Sequence, residues 1–260
     1  MADTTKLTNR IISRSILPLF KVIYAADTSP VKDFLKRFDG IIQFAVHNTD
    51  TGTYIEFRDG EIDVLQGVHP NPEIYIGFKD MNAMNALFTG GKPAEIGFPK
   101  LRGLWRIPLL IKLGLLFPGL LLLMPDNTPK TEGKKALKVK MTMYMVTNAL
   151  SQLNKGGDEK MMEWTAKQPD RIYQLSVQPD GDAAYLRIRG GKTKSGHGTY
   201  KRKAPFIHMK FNGLDNAYKV LCEGKDTFTA MTDGDVSMDG SPEYGGALGS
   251  FMVKIQDLVT

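Results

Sequence analysis

Cysteine occurs once in this 260-residue chain, at Cys222, so neither an intramolecular disulfide nor a cluster of thiolate metal ligands can form. That suits a reducing compartment. Histidine is scarce as well: His47, His69, His197 and His208 are dispersed, and none has the i, i+4 spacing of a metal-binding helix. Long apolar runs are nearly missing. The segment from Ile107 to Met124 approaches one, but Pro108, Lys112 and Pro118 interrupt it, and it falls short of the roughly 20 residues a spanning helix needs. It reads as a buried or membrane-touching helix. Near the start, Arg10 and Arg14 flank an apolar stretch, Ile11 to Ala26, which Lys21 breaks. An amphipathic helix fits better than a secretory signal, and the protein is expected in the cytoplasm. A net charge of +6 permits weak attraction to anionic partners without requiring any.

Catalytic and cofactor motifs are also wanting. Gly190-Gly191-Lys192-Thr193 invites a phosphate-loop reading, but the first glycine of that motif would fall at Leu186. Asp233, Asp235, Ser237 and Asp239 alternate like a calcium loop, yet the turn glycine is replaced by Met238 and the closing carboxylate by Tyr244. An exposed strand face explains that alternation better. His47 and His208 lie in strand-like segments opposite an apolar stripe, as sheet histidines do. Cys222 closes an apolar helix and reads as a packed thiol. No catalytic residue, metal ligand or cofactor site is assigned, and the chain is read as a non-enzyme.

What the chain does have is a copy of itself. Asp39, Gln43, Tyr54 and Gly60 meet Asp170, Gln174, Tyr185 and Gly191 at a constant offset of 131; Val46 and Arg58 meet Val177 and Arg189 likewise. Two extra residues enter near Gly198, after which Ile74, Phe78, Gly91 and Lys92 meet Ile207, Phe211, Gly224 and Lys225. A repeat this long suits a whole domain used twice. With 42% hydrophobic and 24% charged residues, each copy is an ordinary globular unit able to bury its own core.

Each copy runs in the same order. An opening helix (about Leu7 to Ala26; about Lys135 to Leu153) and a shorter one (Val31 to Phe38; Glu159 to Lys167) precede strands. Glu61-Ile62-Asp63-Val64 and Leu186-Arg187-Ile188-Arg189 alternate apolar and charged, which predicts a sheet wet on one face. Asp59-Gly60 and Gly190-Gly191 suit tight turns requiring positive φ. Helices Asp80 to Phe88 and Leu214 to Cys222 are stopped by Gly90-Gly91 and Gly224. Final strands near Glu95 to Leu101 and Asp235 to Asp239 lead to closing helices, Leu104 to Met124 and Gly246 to Val259. The first is apolar almost all round and must be covered by something. The polar connection Pro125 to Lys134 marks the boundary, giving domains 1–128 and 129–260. The class is α+β.

In order and spacing, these residues resemble the sterol carrier protein 2 (SCP2) family. The features are the turn glycine of Asp59-Gly60, a loop with Pro70 and Pro72, an Ile-x-Ile strand and a helix ending in Gly90-Gly91-Lys92. The second copy keeps Gly190-Gly191, Pro205, Ile207-His208-Met209 and Glu223-Gly224-Lys225. Gly103 and Gly240 fit the family's strand–Gly–helix passage. The resemblance implies two tandem SCP2-like domains, each a largely antiparallel five-stranded sheet covered by helices. It also implies an apolar tunnel that holds a sterol, fatty acid, acyl-CoA or phospholipid and moves it without chemistry.

The side chains nominated to line that tunnel are Phe88, Leu109, Leu113, Leu116, Phe117 and Leu120 in the first copy. In the second they are Leu248, Phe251, Met252 and Ile255. Pro108 and Pro118 are expected to kink or break the first closing helix into a movable lid. Between Arg187 and Lys203 there is no acidic residue, and Lys192, Lys194, Lys201, Arg202 and Lys203 are nominated to meet an anionic head group or a membrane. A solvated face is the plainer account of that run. The expected partners are a lipid or other hydrophobic small molecule, with transient membrane contact and a homo-oligomer left open; nucleic acid is not among them, since stacking aromatics are wanting. The alternative is a structural or regulatory module using the 104–124 helix as an oligomer or partner interface.

Overall fold

The computed structural model describes residues 3–240 and 242–259. The chain divides into two compact units, Thr4–Met124 and Pro125–Leu258. The first opens with helix α1 (Thr4–Ile11), a π-helical turn (Ile12–Ile16) and α2 (Leu19–Ala26), so the long opening helix expected here is broken. Pro18, which lacks an amide hydrogen, lies at the break and begins α2 instead of continuing α1. Helix α3 (Pro30–Leu35) follows, its first turn capped by the Ser29 hydroxyl, which accepts from the Lys32 amide at 3.2 Å.

Strands β1 (Gly40–Val46), β2 (Gly52–Arg58), β3 (Glu61–Gln66), β4 (Ile74–Phe78) and β5 (Lys100–Arg102) form one sheet in the order β3-β2-β1-β4-β5. Neighbours are antiparallel except β1 and β4, which run parallel, so the sheet is mixed. Helices α4 (Met81–Phe88), α5 (Pro93–Ile96) and α6 (Ile107–Leu121) complete the unit. The strand expected near Glu95 is therefore a single helical turn followed by a short edge strand. Pro93 takes the first helical position, where its missing donor costs nothing, and Gly97 ends the turn at φ +67°.

The second unit has one unbroken opening helix, α7 (Glu132–Lys155), then α8 (Glu159–Ala166). Strands β6 (Arg171–Gln178), β7 (Ala183–Arg189), β8 (Lys192–His197), β9 (Ile207–Asn212) and β10 (Val236–Asp239) repeat the first sheet's order and senses, with β6 and β9 the parallel pair. Helices α9 (Leu214–Cys222), α10 (Thr227–Thr232) and α11 (Pro242–Val259) complete it.

Both hairpin turns have two consecutive positive φ angles, 53° and 79° at Asp59-Gly60 and 51° and 78° at Gly190-Gly191, the geometry of a type I′ turn. Gly90 and Gly224 both end their helices at φ +74°. At the passage to each closing helix, a β-carbon on Gly103 would lie 1.7 Å from the Glu73 carbonyl oxygen. One on Gly240 would lie 2.3 Å from that of Phe206. Any side chain there would push β4 or β9 away from its edge strand.

Candidate functional site

Cross-strand register sorts the side chains by face, because paired residues point the same way. In the second unit, α7 covers the face that carries Thr193 and Ser195: the Ser151 hydroxyl lies 3.2 Å from Thr193 Oγ1, and the Ser195 hydroxyl donates to Asn148 at 2.5 Å. Pairing carries that face through Leu186 to Tyr173, then two residues on to Leu175, Met209 and Met238. In the first unit the corresponding face holds Phe44, Ile76 and Leu101, in register across β1, β4 and β5. Each sheet thus carries a row of three apolar side chains running to its edge strand on the helix side. Phe44 is buried, Leu101 is exposed, and Ile76, Leu175, Met209 and Met238 are half-buried.

At the inner end of the first row, four rings meet. Phe117 lies 5.8 Å from Phe20, 6.4 Å from Phe44 and 6.2 Å from Phe88, the last nearly parallel at 17°. Of the residues nominated there, Phe88, Leu109, Leu113, Leu116 and Leu120 are buried and Phe117 is half-buried. Leu109 closes against Gly40, where an added β-carbon would come within 2.5 Å of it. Gly119 brings α6 down onto Ile23 of α2 in the same way. Pro108 stands in the first turn of α6, where proline is pre-organised for the helix, and Pro118 lies inside a helix that continues to Leu121. The helix is therefore not broken at either proline.

In the second unit, Phe251 and Ile255 are buried and Leu248 and Met252 half-buried. Phe251 packs 5.5 Å from Trp164 of α8, and Lys254 pairs with Asp158 at the start of that helix.

Sequence reasoning saw Lys112 only as an interruption of the apolar run and did not place its charge inside the protein. It is 2% exposed; its Nζ donates to the Phe38 carbonyl at 2.6 Å and lies 4.4 Å from the centre of the Phe57 ring. Burial pushes its pKa below the ordinary lysine value, and the Asp39 charge opposes that shift.

The role of the repeated glutamine also went unread. Gln43 Nε2 donates to the carbonyls of Phe44, Thr53 and Gly67, and its Oε1 accepts from the His69 amide at 2.7 Å. Gln174 does the same with Leu175, Ala184 and Gly198, accepting from the Tyr200 amide at 2.9 Å. The pinned loop lays a ring beside a tyrosine each time: His69 is 5.3 Å from Tyr54, and Tyr200 is 5.0 Å from Tyr185.

The second of these loops builds a cationic cleft of about 280 Å³, lined by Tyr185, Arg187, Lys194, Tyr200, Lys201 and Arg202 among others. It gathers three of the five nominated cations. Lys192 opens β8 outside it, and Lys203 donates to the Asp170 carbonyl at 2.6 Å. Arg187 grips Asp170 through two bonds, at 2.8 and 2.7 Å, and holds that carboxyl below the usual carboxylate range. In the first unit a polar cleft of about 500 Å³ lies between α1 and α4, lined by Thr4, Thr8, Asp80 and Asn85 among others.

Two expectations need correction, those for His47 and for the pair Asp233 and Asp235, while His208 lies in a strand as expected. His47 follows β1 in a turn, its amide donating to the Phe78 carbonyl at 2.8 Å. His208 is in β9, 2.8 Å from the Ser176 hydroxyl, a hydroxyl–imidazole pair that no spacing in the sequence reveals. Asp239 is its cross-strand neighbour, and Lys210 pairs with the Asp239 carboxylate at 2.5 Å. Burial and Lys210 hold the His208 pKa below the ordinary histidine value. Asp233 and Asp235 were expected on an exposed strand face, but both precede β10, and both pair with Lys225, at 2.7 and 2.5 Å. Among the described residues, no group of three His, Cys, Asp or Glu side chains is placed to hold a metal ion.

No family model matches the chain, and no curated protein matches it. Among solved structures, similarity is found to palmitated SCP2L2 from Aedes aegypti, at 12% identity over 41% of this chain and 90% of that one, with a TM-score of 0.29. It is found likewise to the apo form of sterol carrier protein 2 from Yarrowia lipolytica, at 12% identity, 41% and 92% coverage and a TM-score of 0.30. A third match is the inverting sec-alkylsulfatase Pisa1 from Pseudomonas, at 17% identity, 66% and 31% coverage and a TM-score of 0.25. At these scores the case for function rests on the geometry above.

Proposed function

We propose that the protein binds a hydrophobic ligand between sheet and closing helix and carries it without making or breaking a bond in it. Residues 1–128 and 129–260 would each act as an SCP2-like domain, taking the apolar part of a sterol, fatty acid, acyl-CoA or phospholipid. The observation that carries this reading is the repeated apolar row, Phe44-Ile76-Leu101 and Leu175-Met209-Met238, whose outer members the helices leave incompletely covered. Apolar surface that the protein does not bury itself is where an aliphatic chain gains about 0.8 kcal/mol per methylene. Ten buried methylenes would contribute about 8 kcal/mol, the scale of micromolar binding. Phe88, Phe117, Leu113 and Leu116 form the inner wall in the first domain, with Leu109 and Leu120 anchoring the helix behind them. Leu248, Phe251, Met252 and Ile255 are the wall in the second. The cationic cleft supports an anionic head group through Lys194, Lys201 and Arg202.

Delipidated protein is expected to take up a fluorescent fatty acid, and Met209→Asp together with Ile76→Asp to abolish uptake while the fold is retained by circular dichroism. Protein that takes up no fatty acid, acyl-CoA or sterol would overturn the proposal. A second reading, an interaction module without a ligand, draws on the exposed outer stripe of α6. It predicts a stable oligomer by light scattering that Ile111→Glu dissociates. The buried Leu113 would be the wrong residue for that test.

A further inference from the structure

From Ile96 to Pro125 the chain has no acidic residue and four basic ones, Lys100, Arg102, Arg106 and Lys112. Lys112 is buried, and the other three are exposed. The same segment holds an unusual density of exposed apolar groups. On α6, Ile107, Ile111 and Leu115 follow one another at four-residue spacing, and Leu121 lies on the same outer half of the helix, away from the buried Leu109, Leu113, Leu116 and Leu120. Just before the helix, Phe98 is fully exposed, Leu101 and Leu104 are 46% exposed, and Trp105 is 77% exposed. Large apolar side chains exposed at this density within one segment mark an interaction site.

We infer that this face docks the protein onto an anionic membrane surface. Two features select lipid over a protein partner. The first is charge: Lys100, Arg102 and Arg106 alternate in sequence with the apolar groups, Arg102 lying over the Tyr75 ring on the face of β5 opposite Leu101, and the described ion pairs involve none of them. They are therefore available to lipid phosphates and carboxylates, at roughly fivefold in affinity for each cation. The second is composition and length. An exposed tryptophan flanked by arginine at the start of an apolar helix matches the headgroup boundary, where indole is at home. At about 1.5 Å per residue the 15-residue α6 is about 22 Å long, short of the roughly 30 Å apolar core. No helix among the described residues is long and apolar enough to cross a membrane. The helix would lie in the interface with its stripe down and Lys112 anchored inside the protein. This inference requires no ligand in the interior.

Trp105 makes the test direct, because Trp164 is the one other tryptophan. In full-length protein carrying Trp164→Phe, vesicles of phosphatidylcholine with one-third phosphatidylserine should shift Trp105 emission to the blue. Brominated acyl chains should quench it. Binding should be at least tenfold weaker on phosphatidylcholine alone and should weaken in 0.5 M salt. Arg102→Glu with Arg106→Glu should cost at least 25-fold, and Ile111→Glu with Leu115→Glu should abolish the blue shift. Those side chains are exposed, so folding is retained, as circular dichroism would check. Lys201→Ala with Arg202→Ala, in the cationic cleft, should leave docking unchanged. Emission unmoved by saturating anionic vesicles would overturn the inference. So would binding that survives Ile111→Glu with Leu115→Glu, or a blue shift that grows with protein concentration in the absence of vesicles. The last result would assign the face to a second copy of the chain. Failure of ligand uptake with docking intact would refute the carrier reading alone.

Discussion

A buried glutamine that meets three carbonyls and one amide is the residue-level signature of this chain, and it occurs twice. Gln43 and Gln174 are 0% and 1% exposed, and each ties the end of one hairpin strand to the loop that follows the next. Removing the amide strands several buried polar groups at once, each costing about 1–3 kcal/mol when left without a partner. Gln174→Leu should therefore lower stability by about 3 kcal/mol, read as a fall in urea midpoint at constant m-value. It should also release Tyr200 from Tyr185, visible as loss of ring-current shifts. A change under about 1 kcal/mol would mean that water replaces the amide. Glycine at the closing passage makes a parallel case. Gly103→Ala must displace the Glu73 carbonyl and hold φ at +81°, whereas Gly67→Ala, at φ +102° with open space around it, meets the backbone term alone. The first should cost clearly more than the second, which should cost about 1 kcal/mol.

At the scale of elements, α6 shows what a sequence conveys and what it withholds. Its apolarity all round announces a helix that needs cover, but periodicity has no contrast to work with when nearly every position is apolar. Its wet and dry faces become visible once Gly119 and Leu109 are seen against Ile23 and Gly40. The faces predict opposite outcomes for similar substitutions. Leu116→Ala, at 2% exposure, should cost about 2–5 kcal/mol, while Ile111→Ala, at 43%, should stay within about 1 kcal/mol. Equal effects in thermal melts would mean that the outer stripe is covered in solution. The hairpins were legible because Asp-Gly and Gly-Gly turns are local chemistry. The parallel pairing of β1 with β4 was not, because nothing in a strand's alternation names its partner. The short helices α5 and α10 were lost for a different reason: four and six residues give no periodicity to read. Of the apolar row, Ile76 and Met209 were legible within their own strands, but its alignment across three strands depends on register. So does the meeting of Ser176 with His208, residues 32 positions apart.

At the scale of the whole molecule, the histidines and carboxyls with displaced pKa values fall mostly in one unit. In the Pro125–Leu258 unit, burial and Lys140 lower the His197 pKa, burial and Lys210 lower that of His208, and Arg187, Lys225 and Lys210 hold Asp170, Asp235 and Asp239 below the usual carboxylate range. In the other unit, the Lys36 partnership lowers Asp33, which is a surface pair. The sign follows from proton counting. A histidine whose folded pKa is depressed binds fewer protons folded than unfolded between its folded pKa and about 6.5, so stability is lost as pH falls through that window. The carboxylates keep their contribution until pH drops below about 4, where it is lost toward their still lower folded values. Two acid steps are therefore expected in the second unit, the first belonging to the histidines. Melts of the Trp105→Phe protein followed by Trp164, which packs against Tyr173 and Phe251, should fall in midpoint between pH 7 and 5.5. Protection of the β1 and β2 amides against hydrogen exchange, corrected for intrinsic rate, should stay level over the same range. His197→Gln with His208→Gln should flatten the first step and leave the second. A midpoint that holds steady to pH 5 in the parent, or an equal loss of protection in β1 and β2, would refute the asymmetry.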